Sequence, residues 1–178
     1  DRCMTISLKF LGAARQVTGS KHLLRVGDQR VLIECGMVQG PRRLSRRLNS
    51  ELPVRAKDVD AVVLSHAHID HSGSLPRLVR LGYRGPVYCT RATNDLLGIM
   101  LPDSAHIQES DARYLRKRGR DTFEPAYDGA DVQETLKLVR PTAYYETIDV
   151  CPGVRATFYD AGHILGSAQV LFECYDGK

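Results

Sequence analysis

The sequence predicts an α/β protein with β-sheets inside and helices outside. Short apolar runs with the alternation typical of strands open the chain and return near its end. Between them lie segments whose apolar residues repeat at helical spacing, bounded by capping residues, glycine or proline. Helices that alternate with strands must bury their apolar sides against a sheet, and this gives a layered α/β arrangement.

The first strands are predicted to form an antiparallel meander. Residues 6–10 alternate between apolar and polar, and a similar pattern begins around Leu24 in a second strand. A turn at 27–29 leads into a third strand, 30–33, which delivers Glu34 at its end.

The same patterns predict the remaining elements in order. We expect helices at 42–49, after a Ser74 cap, after a Thr90 cap, from Ser104 and from Asp131, the last with Val132, Leu136 and Val139 on one side. Pro102 is expected to break or kink the helix that Thr90 caps. The predicted strands are 59–64, 87–89, 144–150, 154–159 and 168–175.

The candidate site is the segment His66-Ala67-His68-Ile69-Asp70-His71, which follows the apolar run 61–64. Three imidazoles and a carboxylate this close together would repel one another or need partners, whereas one or two cations would satisfy all of them. A loop of solvated histidines is the alternative for any single histidine. For this dense cluster behind a buried strand, metal binding is the stronger interpretation.

The spacing within the segment indicates two ions. His66 and His68 are two apart in extended backbone, so both point to one side and one metal can take both. Asp70 and His71 follow after a turn and face a second position beside the first. Two divalent ions about 3.5–4 Å apart can share a bridging hydroxide, which is a hydrolase arrangement.

The composition indicates one ordinary globular domain of 178 residues with 43% hydrophobic content. No apolar run approaches the roughly 20 residues that cross a membrane, and no signal-peptide pattern opens the chain. We therefore expect a cytoplasmic protein without a membrane partner. The five cysteines are scattered and form no Cys-x-x-Cys pair, so free thiols are predicted.

Basic residues form two runs on a chain whose formal charge is only +4. Either run alone is most simply a solvated helix face. Beside a site that hydrolyses phosphate esters, they would instead contact the phosphates of a polyanion. The first run is Arg42, Arg43, Arg46 and Arg47, and the second is Arg113, Arg116, Lys117, Arg118 and Arg120.

The metal segment resembles the signature of the metallo-β-lactamase superfamily. Four further stretches, 12–20, 34–40, 101–109 and 161–167, resemble the β-CASP branch of RNA-processing nucleases. This resemblance implies an αββα sandwich that binds zinc. It also implies that His163 completes the imidazole set of the first metal and that Glu34, where the family usually has aspartate, orients the metal histidines without binding metal. His22 and His106 are not assigned as ligands.

The resemblance also predicts that residues 1–178 are the N-terminal part of a metallo-β-lactamase-like domain. A turn signal at 176–178 precedes a return strand that the chain does not contain. In the family this strand ends in an aspartate that bridges the metals, and the β-CASP domain and further histidines come later. Two zinc ions are expected in the full-length protein, and one or none in this fragment.

The predicted activity is zinc-dependent hydrolysis of RNA phosphodiester bonds through a metal-bound hydroxide that Asp70 helps to position. An ester or thioester hydrolase of the same superfamily is one alternative, because the metal motif alone does not choose between phosphorus and carbonyl centres. A non-catalytic RNA-binding or scaffolding subunit is another. RNA is the expected partner, and whether the full-length protein is a homodimer is left open.

Overall fold

The computed structural model describes residues 5–119 and 124–175 and consists of nine strands and five α-helices within those ranges. The strands are β1 (Ile6–Gly12), β2 (Lys21–Val26), β3 (Gln29–Ile33), β4 (Ala61–Val63), β5 (Val87–Thr90), β6 (Val139–Thr142), β7 (Thr147–Cys151), β8 (Val154–Asp160) and β9 (Ala168–Cys174). The helices are α1 (Arg42–Ser50), α2 (Ile69–Ser72), α3 (Leu75–Arg80), α4 (Arg91–Lys117) and α5 (Gly129–Lys137), with a short 3-10 turn at Ala56–Asp58.

The strands form two sheets. The larger has the order β1-β2-β3-β4-β5-β6, and the smaller has the order β7-β8-β9. β1, β2 and β3 pair antiparallel, which confirms the predicted meander, whereas β3 to β6 pair parallel. The carboxyl ends of the parallel strands therefore share one edge, and the loops that follow them meet there.

Two apolar cores hold the layers together. One lies between the larger sheet and the helices and includes Leu64, Leu78 and Leu97. The other lies between the two sheets, where Val31 and Val63 face residues such as Phe158. Among the described residues, helix side chains such as Leu78 and Leu97 belong to the first core and none belongs to the second, so the order of layers is helices, large sheet, small sheet.

The helix predictions need three corrections. Pro102 does not break a helix, because α4 continues through it. Leu97, Leu101 and Ala105 form one buried row on both sides of the proline and stabilise the continuous helix. Proline has no N–H to donate to the Gly98 carbonyl, but Gly98 is exposed and its carbonyl can accept from water. Ser74 does not cap α3, since its hydroxyl donates to the Gly36 carbonyl at 2.8 Å.

The third correction concerns α5 and β6. The helix begins at Gly129, two residues earlier than expected, with Asp128 and Asp131 forming a reciprocal capping box. Val139 is not on that helix but opens β6, which the sequence patterns missed, because its pairing with Val87 of β5 is a long-range contact. The predicted Thr90 cap is confirmed, as the Thr90 hydroxyl accepts from the Thr93 N–H.

The free-thiol prediction is confirmed for Cys35, Cys89, Cys151 and Cys174. Cys3, Arg120 and the turn signal at 176–178 lie outside the described residues, as do the side chains of Arg42 and Arg43. None of the described helices is both long and apolar enough to span a bilayer.

Candidate metal centre

The metal segment lies where the sequence predicts it, directly after the buried strand β4. Asp70 and His71 belong to the single turn of α2, which begins at Ile69. This short helix was not predicted; the helix expected behind His71 is α3, which begins at Leu75. The Ala168 N–H donates to the Ser65 carbonyl at 2.8 Å and ties the small sheet to this segment.

Three histidine rings converge at this edge. The Nε2 of His66 lies 3.0 Å from the Nδ1 of His68, and the Nε2 of His163 lies 3.3 Å from the same atom. The candidate ligand atoms of the three rings all lie within 4.8 Å of one another. Nitrogen atoms bound to a tetrahedral zinc ion at 2.0–2.1 Å lie roughly 3.3 Å apart, so this spacing suits one ion.

The chemistry of the three histidines also fits a metal ion. Burial, followed by the neighbouring His71, His68 and His163, lowers the pKa of His66 to about 4. The ring is therefore neutral at physiological pH, as a metal ligand must be. Its Nδ1 lies 2.8 Å from the Ser65 hydroxyl, which leaves Nε2 to face the other two rings.

Asp70 and His71 lie beside this cluster. The Nε2 of His71 is 3.7 Å from a carboxylate oxygen of Asp70, and the His71 ring centre is 4.1 Å from that of His66. The pair thus adjoins the three-histidine cluster and presents one carboxylate and one imidazole, which are suitable ligands for a second ion.

Glu34 contacts the metal segment through both of its carboxylate oxygens. One of its carboxylate oxygens accepts the Ser65 N–H at 2.9 Å, and the other lies 3.4 Å from the Nδ1 of His71. Burial lowers the pKa of His71, but the facing Glu34 carboxylate and the charge of Asp70 outweigh it, so the pKa is raised. With Nδ1 facing Glu34, the Nε2 of His71 is directed towards Asp70.

Backbone packing holds α2 in place. The Asp70 carbonyl accepts the Ser20 N–H at 2.9 Å, and the His71 carbonyl accepts the Cys35 N–H at 2.7 Å. Gly36 passes so close that a Cβ there would lie 1.6 Å from the Asp70 carbonyl oxygen. The buried Lys21 ammonium donates to the Gly36 carbonyl, and burial lowers its pKa, with Cys35 opposing that shift.

The roles of Ser20, Lys21 and Gly36 were missed by reasoning from single residues. The sequence nevertheless contains a signal for them. Ser20 and Gly36 lie in the stretches 12–20 and 34–40, which resemble the β-CASP family, and Lys21 directly follows the first stretch. Their contacts join three separated segments and have no local sequence pattern.

The loop between β8 and β9 brings His163 to the site. The Ser167 hydroxyl accepts the N–H groups of His163 and Ile164, at 3.0 and 3.2 Å. Gly166, at a φ of +82°, packs against Thr93, where a Cβ would lie 2.4 Å from the backbone nitrogen. The hydroxyls of Thr90 and Thr93 both donate to the Gly166 carbonyl, so the start of α4 anchors this loop.

The unassigned histidines lie outside the described cluster of three. His22 faces Phe10 edge-to-face at 5.1 Å, with its Nε2 3.2 Å from the Ser20 hydroxyl, and His106 is exposed on α4. Neither histidine contributes a ring to that cluster.

A groove of about 1040 Å³ opens beside α1 and includes the loop 37–40 in its wall. Four arginines line it: Arg46, Arg47, Arg77 and Arg80. Arg77 donates to the carbonyls of Ser50 and Ala126 and so joins the end of α1 to the segment that follows α4.

Comparison with known proteins identifies the family. Residues 17–142 match the metallo-beta-lactamase superfamily. The chain belongs to this superfamily, as the metal segment predicted.

Two curated relatives have names that refer to RNA or transcription. The chain is 44% identical over 160 residues to Ribonuclease TTHA0252 of Thermus thermophilus, covering 90% of this chain and 33% of that protein. It is 37% identical over 163 residues to the transcription termination factor FttA of Methanocaldococcus jannaschii, covering 92% of this chain and 24% of that protein. The chain thus spans about a quarter to a third of the length of these relatives.

Solved structures support the fold. The metallo-beta-lactamase fold protein YhfI of Bacillus subtilis superposes with a TM-score of 0.54 at 19% identity, covering 97% of this chain and 58% of that one. The Rm3 metallo-beta-lactamase superposes with a TM-score of 0.56 at 20% identity, covering 99% and 56%. The predicted metallo-β-lactamase-like fold is therefore confirmed.

Proposed function

We propose that this chain provides the metal-binding part of a zinc-dependent hydrolase that cleaves RNA phosphodiester bonds. The observation that supports this most strongly is the convergence of His66, His68 and His163, two of which are 95 positions apart in the chain. Imidazoles spaced for one ion, beside a carboxylate and a fourth imidazole, suit the two-ion hydrolases.

Each ligand has a defined role in this proposal. His66, His68 and His163 hold the first ion, and Asp70 and His71 contribute to a second. When bound, zinc polarises phosphate oxygens and activates water at neutral pH. Glu34 keeps His71 directed at the second position, and Asp70 helps to orient the attacking water. Supporting groups of the Glu34 kind are typically worth 10- to 100-fold in metal affinity or activity.

RNA is the proposed substrate because of the names of two relatives of this chain. One is named a ribonuclease and another a transcription termination factor. These names favour a phosphodiester over an ester or thioester as the scissile group. We further propose that the chain is the N-terminal part of a longer protein of the β-CASP branch, in line with the fraction of these relatives that it spans.

The groove beside α1 is the proposed path of the RNA backbone. Arg46 and Arg47 line it together with Arg77 and Arg80, and contact with phosphates would make binding depend on salt but not on sequence. Arg42 and Arg43 remain predicted contributors from the same helix. Replacing Arg47 by Gln should reduce the slope of log RNA affinity against log salt concentration by about one. An unchanged slope would show that Arg47 does not contact the RNA.

The direct test is RNA cleavage by the full-length protein and its His66→Ala variant, each with and without a chelator. We expect chelator-sensitive cleavage by the parent and none by the variant. His106→Ala is the matched control, because this exposed histidine lies on α4 and outside the cluster. Equal cleavage by parent and His66→Ala would contradict the proposal, and salt-sensitive RNA binding without cleavage by the parent would support a binding subunit instead.

A further inference from the structure

We propose that Tyr145 and Tyr159 form a stacking site for the bases of single-stranded RNA beside the candidate metal centre. The inference rests on the proposed function, because it takes RNA as the molecule that approaches this edge of the protein. It adds a contact to the bases, which neither the metal ligands nor the arginines of the groove provide.

The two tyrosines come together from separate elements. Tyr145 lies between β6 and β7, and its N–H donates to the Phe158 carbonyl at 2.8 Å, which places it beside Tyr159 of β8. The two ring centres are 5.7 Å apart with an angle of 75° between the planes. In such an edge-to-face pair each ring covers little of the other, so flat ring surface stays available.

Both rings are open to solvent, unlike the tyrosines of the core. Tyr145 is 69% exposed and Tyr159 is 40% exposed, whereas Tyr83 and Tyr127 are fully buried. Their neighbour Tyr144 is held differently, since its hydroxyl donates to the Ser167 carbonyl at 2.9 Å. Exposed aromatic rings can stack on any nucleobase, because every base has a flat π-face.

The backbone of Tyr145 adopts a conformation that its side chain does not favour. Its φ is +65°, in the left-handed region where glycine is the least strained residue. The exposed ring gains little from packing against the protein. A costly backbone conformation that presents an exposed ring is a reason to infer a function for that ring.

The pair lies at the same edge of the molecule as the metal ligands. β4 leads into the metal segment and β6 leads into Tyr145, and these strands are two places apart in the sheet, about 10 Å. Tyr159 precedes His163 by four residues in the same strand and loop. Tyr144 also contacts Ser167, whose hydroxyl holds the His163 backbone. The backbone of both tyrosines therefore adjoins the loop that holds His163, and in this proposal a base near the cleaved bond stacks on the rings.

The test uses the full-length protein with His66→Ala, so that bound RNA is not cut. Short single-stranded RNAs with one 2-aminopurine, placed at successive positions, report stacking through quenched fluorescence. Tyr145→Gly removes the ring and relieves the backbone, so its melting temperature should equal or exceed that of the parent. Tyr145→Phe keeps the ring, and Tyr175→Ala removes an exposed tyrosine that follows β9 as the matched control.

We expect Tyr145→Gly to weaken RNA binding about 5- to 100-fold and to abolish the quenching at one position. Tyr145→Phe and Tyr175→Ala should bind like the parent. An RNA with an abasic ribose at the quenched position should bind parent and Tyr145→Gly equally.

Unchanged affinity and quenching in Tyr145→Gly would overturn the stacking site. The proposed hydrolase would survive that result if the protein with an intact His66 still cleaved RNA in a metal-dependent way. Absence of both RNA binding and RNA cleavage in every form would overturn the proposed function and this inference together.

Discussion

The two candidate ion positions differ in how the fold supports them. The first takes His66 and His68 from the end of β4 and His163 from the loop of the other sheet, so it forms only when the two sheets dock. The second takes Asp70 and His71 from one turn of helix, which Glu34 and Gly36 hold within the larger sheet's own loops. The difference teaches that adjacent positions in one site can depend on separate parts of the structure.

We expect His163→Ala in the full-length protein to cause the largest difference in zinc affinity between the two positions. The exposed ring contributes little to packing, so the fold should persist while the first position loses one of three imidazoles. Zinc affinity there should fall by more than the roughly 10- to 100-fold typical of losing a group that only orients a ligand. Competition with a chromophoric chelator measures this. Unchanged affinity of the tighter ion would show that His163 is not a ligand.

Glu34→Gln should act on the second position instead. Glutamine can still accept the Ser65 N–H, but it lacks the charge that faces His71. We expect the affinity for the second ion to fall about 10- to 100-fold while the first ion is retained. Calorimetric zinc titration resolves the two steps, with Glu134→Gln as the control because its partner Lys137 is a surface residue. Equal weakening of both steps would contradict the separation.

The smallest effect is expected from Asp128→Ala, which lies away from both positions. Loss of the capping box at α5 should reduce the free energy of unfolding by about 1 kcal/mol. Both zinc affinities should stay unchanged. Urea denaturation measures the stability, with the exposed α4 residue Asp103 replaced by Ala as the control. Altered zinc affinity in Asp128→Ala would mean that the helix layer is coupled to the site.

The same comparison explains how much of the site could be predicted. Spacing alone predicts His66, His68, Asp70 and His71 as ligands, because they follow one strand within six positions. His163 is predicted only through a family resemblance, since its approach depends on the pairing of β8 with β9 and on a contact between Ala168 and Ser65. A local sequence pattern does not show that the two sheets dock at this edge.

The fold shows the same limit. The meander and the Thr90 cap depend on neighbouring residues and were predicted correctly. The effect of Pro102 was predicted wrongly because buried apolar side chains on both sides of it stabilise α4. β6 was missed because it is defined by pairing with a strand about 50 positions earlier. Tertiary contacts outweighed local preference in both cases.

The most direct test of the account is the zinc content of the purified full-length protein, measured by elemental analysis beside its His66→Ala variant. The account predicts about two zinc ions per chain in the parent and at least one fewer in the variant. The same zinc content in both proteins, or none in either, would contradict the metal centre on which the proposed function depends.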